Sequence, residues 1–363
     1  MDRKMIIAIF LALIIVSAGA LLVLSDYGGE TAGPVTLIDA AGRNVTTAEA
    51  PVRIVSCSPS LTEIVYALGI GDCLVAVTDY CDWPEDVNVR KGNGSLTSVG
   101  GYYTPSVEAV TGADGDLILI DMGVQAQMDM VPQLENLEQN VIVLDKGKDF
   151  EEVFSNIAMI GEICWMKKEA EQLIDSMKDR LVDIQEMIGT EEAEPTLAFA
   201  VWLEPIYLSG NGTFTQDVIG NAQGENVYSD MTGWPQVSVE SLLERDPDFL
   251  LVSMMYLATP GEDIIQSLQN DTVWSELSAV KNDRVYIFTG QADNVFCRPG
   301  PRMIDGVELM AKILHGGSFN VTMPHVIAND YVDWVSESAP FEAPAESSLT
   351  CSIFSEGVLT RRK

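Results

Sequence analysis

The sequence predicts an α/β chain built as two similar lobes, and three observations predict it. Short apolar runs alternate with helical or turn-rich stretches, a supersecondary pattern recurs in both halves, and one long helical periodicity lies between the two copies. At 363 residues with 47% hydrophobic side chains, the chain has enough apolar material for one large core or two ordinary ones.

Val35–Ile38 and Val45–Thr47 flank Ala40-Ala41-Gly42-Arg43 and read as a small hairpin. Arg53-Ile54-Val55-Ser56 reads as a buried strand entering a helix near Ser60–Leu68. Leu117–Ile120, Val141–Leu144, Leu197–Val201, Phe249–Val252 and Val285–Phe288 supply further strands of the kind a parallel sheet with helical crossovers requires. The repeat is the strongest of these signals. Ser106-Val107-Glu108 and Ser238-Val239-Glu240 are each followed, eight residues after the Glu, by an aspartate, Asp116 or Asp248, and then at once by a strand. Each copy runs on to a second strand, so the match covers a whole supersecondary unit.

Between the copies, Phe150, Val153, Phe154, Ile157, Ile160 and Ile163, then Leu173, Ile174, Met177, Leu181, Ile184 and Ile188, recur at helical spacing. Asp149 with Glu152 makes a capping-box start. A single rod over residues 149–189 would span about 60 Å and hold the lobes stiffly apart. The alternative is two packed helices broken near Gly161 or Trp165. The resulting division is an N-terminal lobe over 36–148, the connector over 149–189, a C-terminal lobe over 190–315 and a partly disordered extension over 316–363.

Ahead of the lobes, Asp2, Arg3 and Lys4 precede an apolar stretch, Met5–Leu24, long enough to cross a bilayer as a helix. Residues 1–25 therefore read as a membrane anchor, or as a secretory signal if Ser17-Ala18-Gly19-Ala20 is cleaved, and residues 26–35 as a Gly-rich leash. The lobes are expected at the extracellular face of the membrane. No cysteine closely follows the apolar segment, so there is no candidate for lipid attachment. Cys57, Cys73, Cys81, Cys164, Cys297 and Cys351 have no zinc-site spacing, and their spacing leaves disulfide connectivity open.

The charge balance, 21 Lys+Arg against 54 Asp+Glu for a formal −33, repels nucleic acid and anionic lipid. Its even scatter reads as a hydrated surface suited to high salt. Catalysis has little to draw on. The only histidines, His315 and His325, lie near no cluster of ligand spacing, and Gly210-Asn211-Gly212 lacks the residues of a phosphate loop. No enzyme, cofactor or metal site is expected. The chain does carry aromatics where strands give way to loops: Tyr80, Trp83, Tyr102, Tyr103, Trp202, Tyr207, Trp234 and Phe296, with Arg298 two residues beyond the last. Loops at strand ends are where open α/β sheets bind ligands, so these rings are expected to line one cleft for a large, partly apolar ligand, with Arg298 for an anionic edge.

Taken together, Asp39-Ala40-Ala41-Gly42-Arg43, Pro51-Val52-Arg53-Ile54-Val55, Thr62-Glu63 and Ala67-Leu68-Gly69 resemble the periplasmic binding proteins of ABC importers for vitamin B12, iron siderophores and haem. The resemblance covers roughly residues 36–315. It implies two Rossmann-like lobes joined by one rigid helix, a ligand cleft between them, a monomer, and partnership with an ABC permease and its ATPase subunits. Gly224-Glu225-Asn226-Val227, Trp234-Pro235-Gln236-Val237-Ser238-Val239-Glu240, and Tyr80 ahead of Asp82 and Pro84 are most similar to the cobalamin-binding branch. That implies a corrinoid ligand held by Tyr80, Tyr102 or Tyr103, Tyr207 and Trp234, with an iron chelate or haem as the alternative. It also implies that Glu108 and Glu240 engage arginines of the permease. From another class, the same scaffold would serve an anchored surface sensor.

Overall fold

The computed structural model describes residues 33–189, 194–253 and 259–336. The expected anchor, most of the leash, the end of the tail and Cys351 lie outside those residues. Among the described residues no helix is long and apolar enough to cross a membrane.

The hairpin forms as strands β1 (Val35–Ile38) and β2 (Asn44–Thr47). Asp39 closes its turn by accepting from the Ala41 and Arg43 amides and from the Arg43 side chain, and it also accepts from the Val143 amide. One carboxylate thus fixes the turn and sews the hairpin to the lobe. The lobe itself follows as β3 (Ile54–Ser56), α1 (Pro59–Ala67), β4 (Leu74–Val77), α2 (Glu85–Asn93), β5 (Thr97–Ser98), a hairpin of β6 (Gly100–Gly101) and β7 (Thr104–Pro105), α3 (Val107–Gly112), β8 (Leu117–Asp121), α4 (Gln125–Asn136) and β9 (Val141–Leu144). Its sheet has the order β5-β4-β3-β8-β9, all parallel. Both faces are covered by helices, which is why β8 and β9 are buried at every position.

The connector differs from the single rod. It is two helices, α5 (Phe150–Ile163) and α6 (Lys167–Ile188). Trp165 takes a left-handed backbone (φ 63°), which ends the first helix, and the Met166 amide donates to the Gly161 carbonyl. Gly161 lies where a Cβ would meet the Ala170 Cβ at 2.3 Å, so the helices cross in close contact there. Asp149 caps α5 by accepting from the Glu152 amide, while Glu152 bonds the Lys148 amide instead of completing the reciprocal box. α5 packs on the first lobe and α6, about 33 Å long by its 22 residues, packs on the second.

The second lobe comprises β10 (Thr196–Leu203), β11 (Ile206–Leu208), α7 (Phe214–Asn221), β12 (Glu225–Asn226), β13 (Gln236–Val237), α8 (Val239–Arg245), β14 (Phe249–Ser253), α9 (Gly261–Asn270), α10 (Ser278–Lys281), β15 (Val285–Phe288), α11 (Gly290–Cys297), α12 (Met303–Leu314), α13 (Gly316–Phe319) and β16 (Val326–Ile327). The sheet runs β13-β11-β10-β14-β15-β16, with β12 also paired to β10. Its core strands β10, β14, β15 and β16 are parallel. The second lobe continues past residue 315, while residues 337–363, nearly all of the stretch where periodicity is lost, lie outside the described residues. β16 joins the sheet beside β15, and a helical turn at Asn329–Trp334 buries Tyr331.

The repeat is structural. Ser106 and Ser238 cap α3 and α8, Asp116 accepts from the Val52 and Arg53 amides beside β3, and Asp248 accepts from Thr196 at the start of β10. β3, β8 and β9 thus correspond to β10, β14 and β15. Buried charge ties α6 to α12: Arg180 donates to Asp305 and Glu308, each at 2.9 Å, and Lys312 and Ser336 also bond Glu308.

Candidate functional site

A cleft of about 540 Å³ lies between the lobes, at the carboxyl ends of both parallel sheets. One wall comes from the loops after β3, β4 and β6: Ser58, Pro59 and Ser60, then Asp79, Tyr80 and Asp82, then Tyr102 and Tyr103. The facing wall is α11 with the segment after it, Gly290 to Pro299, and Asn329.

Tyr80 and Tyr103 present rings that are 43% and 66% exposed. Tyr102 stands edge-on to Tyr103, with centroids 4.7 Å apart, and its hydroxyl donates to buried Asp121 at 2.8 Å. Asp121 ends β8 and also accepts from the Ser58 hydroxyl and the Gly123 amide. Burial raises its pKa against those hydrogen bonds. Burial, then the Asp121 charge, pushes the Tyr102 hydroxyl up, so Tyr102 stays protonated and donates. Across the cleft, Asp293 is buried and accepts from the Ser253 hydroxyl at the end of β14. Burial, then Asp293, pushes the Cys297 thiol up and keeps it protonated.

Where the lobes meet beneath the cleft, Arg302 has no solvent exposure and donates twice to Glu63 of α1, at 2.9 and 2.5 Å. Arg298 donates to Asp82 at 2.6 Å, to Glu63 at 3.3 Å and to the Tyr80 carbonyl at 3.0 Å. Gly147, with φ at 71°, lets the loop after β9 approach Pro299 so closely that a Cβ would fall 2.6 Å from the proline ring.

Of the nine residues expected to line one cleft, the structure brings Tyr80, Tyr102, Tyr103 and Arg298 together there. The others stand elsewhere. Phe296 is fully buried against Phe288 and Phe199, because it projects from the core-facing side of α11. Trp83 packs under the Arg302 guanidinium, 4.6 Å from its ring centroid, and beside Tyr331. Trp202 lines a separate hollow of about 370 Å³ with Trp274. Tyr207 is its cross-strand partner and bonds Gln236, and Trp234 packs edge-on to Phe214. These three rings belong to the β10–β11–β13 edge of the second lobe, outside the wall of the cleft. Arg298, expected to be available for an anionic edge of a ligand, is paired here with Asp82 and Glu63.

Sequence reasoning did not single out Asp79, Asp82, Gln291, Asp293, Asn294, Cys297 and Asn329 as lining residues. A signal for part of them is present: Gly290, Asp293, Asn294 and Cys297 fall at i, i+3, i+4 and i+7, a small and polar stripe opposite Ala292, Val295 and Phe296. The histidines are structural. His315 Nε2 bonds the carbonyls of Ala222 and Gln223, and His325 stacks on Tyr286. Among the described residues no group of His, Cys, Asp and Glu is arranged to hold a metal, and no two of the described cysteines are joined in a disulfide. Glu108 and Glu240 are exposed in the first turns of α3 and α8, where the helix amide and the capping serine hold each carboxyl below the ordinary range.

Comparison with known proteins agrees with this geometry. The family model described as "Periplasmic binding protein" matches residues 54–292. An uncharacterized ABC transporter substrate-binding lipoprotein of Bacillus subtilis, YvrC, is 34% identical over 290 residues, 79% of this chain and 87% of the relative. A possible iron-binding periplasmic solute-binding protein of Staphylococcus epidermidis superposes with a TM-score of 0.63 at 28% identity, over 74% of this chain and all of that one. The periplasmic vitamin B12 binding protein BtuF of Vibrio cholerae superposes at 0.59 and 26% identity, over 75% and 99%. With two parallel-sheet lobes, a cleft at their carboxyl ends and this family match over most of its length, the chain belongs to the periplasmic binding protein family, as an extracytoplasmic, non-enzymatic substrate-binding protein of an ABC transporter.

Proposed function

We propose that the chain captures a corrinoid of the cobalamin type in the interlobe cleft and delivers it to an ABC permease with its ATPase subunits. The make-up of the cleft carries this reading: tyrosine rings and amide side chains line it, and its guanidinium is already paired. A corrinoid presents a broad disc rimmed by neutral amides, which suits tyrosine faces with Gln291, Asn294 and Asn329 around them. A strongly anionic chelate would meet Asp79, Asp82 and Asp293 instead. The likeness to BtuF supports the same ligand, while the likeness to the Staphylococcus epidermidis protein makes a ferric chelate the competitor.

The test is titration of the detergent-solubilised full chain with cyanocobalamin, cobinamide, a ferric hydroxamate and haem, followed by calorimetry and visible absorbance. One corrinoid site per chain is expected. Tight ferric binding with no corrinoid binding would reverse the assignment.

Delivery needs a docking surface, and Glu108 and Glu240 are our candidates, one on each lobe at equivalent positions of the repeat. Both carboxylates are charged and exposed, ready for charge-assisted bonds to arginines, and a two-pronged contact lets the permease orient the lobes. Glu108→Ala with Glu240→Ala should leave ligand affinity unchanged and lower permease-dependent uptake at least tenfold. Unchanged uptake would remove both residues from the role. Met5–Leu24 is proposed as the tether that keeps a monomeric chain near its permease.

A further inference from the structure

We propose that Asp82 sets the charge selectivity of the cleft by holding Arg298 in a neutral cluster, so that anionic ligands find no guanidinium to bind; this rests on the reading that the interlobe cleft is the ligand site. A guanidinium on the wall of a binding cleft is ordinarily the strongest anion-binding element available, because its planar fork matches carboxylate and catecholate oxygens. Here the fork is committed. Its two terminal nitrogens reach Asp82, Glu63 and the Tyr80 carbonyl at 2.6, 3.3 and 3.0 Å. The last bond gives Arg298 a different task, fixing the backbone that carries the Tyr80 ring.

Two carboxylates, Glu63 and Asp82, face two guanidiniums, Arg298 and Arg302, so the cluster carries no net charge. Its two acids are not equivalent. Glu63 is buried, with 1% side-chain exposure, and is the partner of Arg302; Asp82 is 36% exposed and stands at the cleft. Removing Glu63 would strand a buried cation, whereas neutralising Asp82 leaves both arginines paired to Glu63 and gives the cluster one net positive charge at the wall. Although burial alone would raise the Asp82 carboxyl, Arg298 holds it below the ordinary range, so it is ionised at neutral pH.

The experiment compares the full chain with its Asp82→Asn variant, using two ligand pairs of matched size and different charge. One pair is cobinamide and the heptacarboxylate cobyrinic acid; the other is a neutral ferric trihydroxamate and a trianionic ferric tricatecholate. In whichever pair binds, Asp82→Asn is expected to shift the affinity ratio toward the anion by about tenfold, equivalent to ~1.4 kcal/mol. That gain should shrink as salt is raised. It should vanish in Asp82→Asn with Arg298→Gln, and Asp82→Glu, which keeps the charge, should hold the wild-type ratio. A melting curve establishes that each variant is folded, and Asp82→Ser, also neutral, carries the same expected shift if the asparagine variant is not. An unchanged ratio, a gain that survives loss of Arg298, or no binding of either pair by any folded form overturns the proposal. Failure of the wild-type chain to bind corrinoids alone sinks only the ligand assignment, because the ferric pair reads selectivity independently.

Discussion

Arg302 has no solvent exposure, and a cation so placed is stable only while its carboxylate stays opposite it. Both bonds to Glu63 cross from one lobe to the other, so this pair fastens the lobe interface as well as filling it. Glu63→Ala is therefore expected to lower unfolding free energy by about 3–5 kcal/mol, the range for a buried pair stripped of one partner. Glu63→Gln should cost less, because the amide oxygen still accepts. Urea denaturation followed by circular dichroism measures both, and equal costs would mean that the bond counts and the charge does not. The same scale shows why the site was only partly legible in the sequence. Tyr80, Tyr102 and Tyr103 were readable because they sit in loops directly after strands, where side chains reach the cleft. Phe296 was not, because a helix exposes one face at a time: Phe296 and Cys297 are adjacent in sequence, yet one is in the core and the other lines the cleft. The commitment of Arg298 to Asp82 and Glu63 joins positions more than 200 residues apart, and no local pattern carries that.

At the scale of elements, strands and repeat were legible because buried parallel strands are short apolar runs and the capping serines mark the same joint in both lobes. The connector was half legible. Its apolar positions keep helical spacing on both sides of Trp165, so periodicity alone does not register the left-handed residue that divides it. β16 has two residues and no periodic signature, and it is a strand only because β15 offers it an edge. The contact between α6 and α12 makes a pH prediction. Burial alone would raise the Glu308 carboxyl, but Lys312, Ser336 and Arg180 together hold it below the ordinary glutamate value. A depressed folded-state value means the contribution is complete above about pH 4.5 and is lost as pH falls through the folded value. Glu308→Gln should consequently melt lower than wild type at pH 7, with the gap closing as the pH drops below 4.5. A gap that stays constant down to pH 3 would show that hydrogen-bond geometry, and not ionisation, is what the glutamate supplies.

For the whole molecule, the dominant quantity is the formal charge of −33 from 54 acidic and 21 basic residues. Several of the few basic groups are committed to local pairs at the lobe interface and along α6 and α12, and acidic side chains outnumber basic ones 54 to 21. Like charges spread over a compact body repel one another, and unfolding relieves that repulsion by moving them apart. Screening should then stabilise the folded chain. The Debye length falls from about 10 Å at 0.1 M to about 3 Å at 1 M monovalent salt. The melting temperature is expected to rise through this range by several degrees, with most of the gain below 0.5 M, where screening changes fastest. Scanning calorimetry in sodium chloride measures it, and a parallel series in sodium sulfate separates screening from preferential exclusion, which keeps growing at high salt. The interlobe ion pairs are buried and scarcely screened, so they do not offset the gain. A melting temperature that is flat or falls as chloride rises would mean that surface repulsion is negligible, and that the acidic excess serves hydration or partner choice without destabilising the fold.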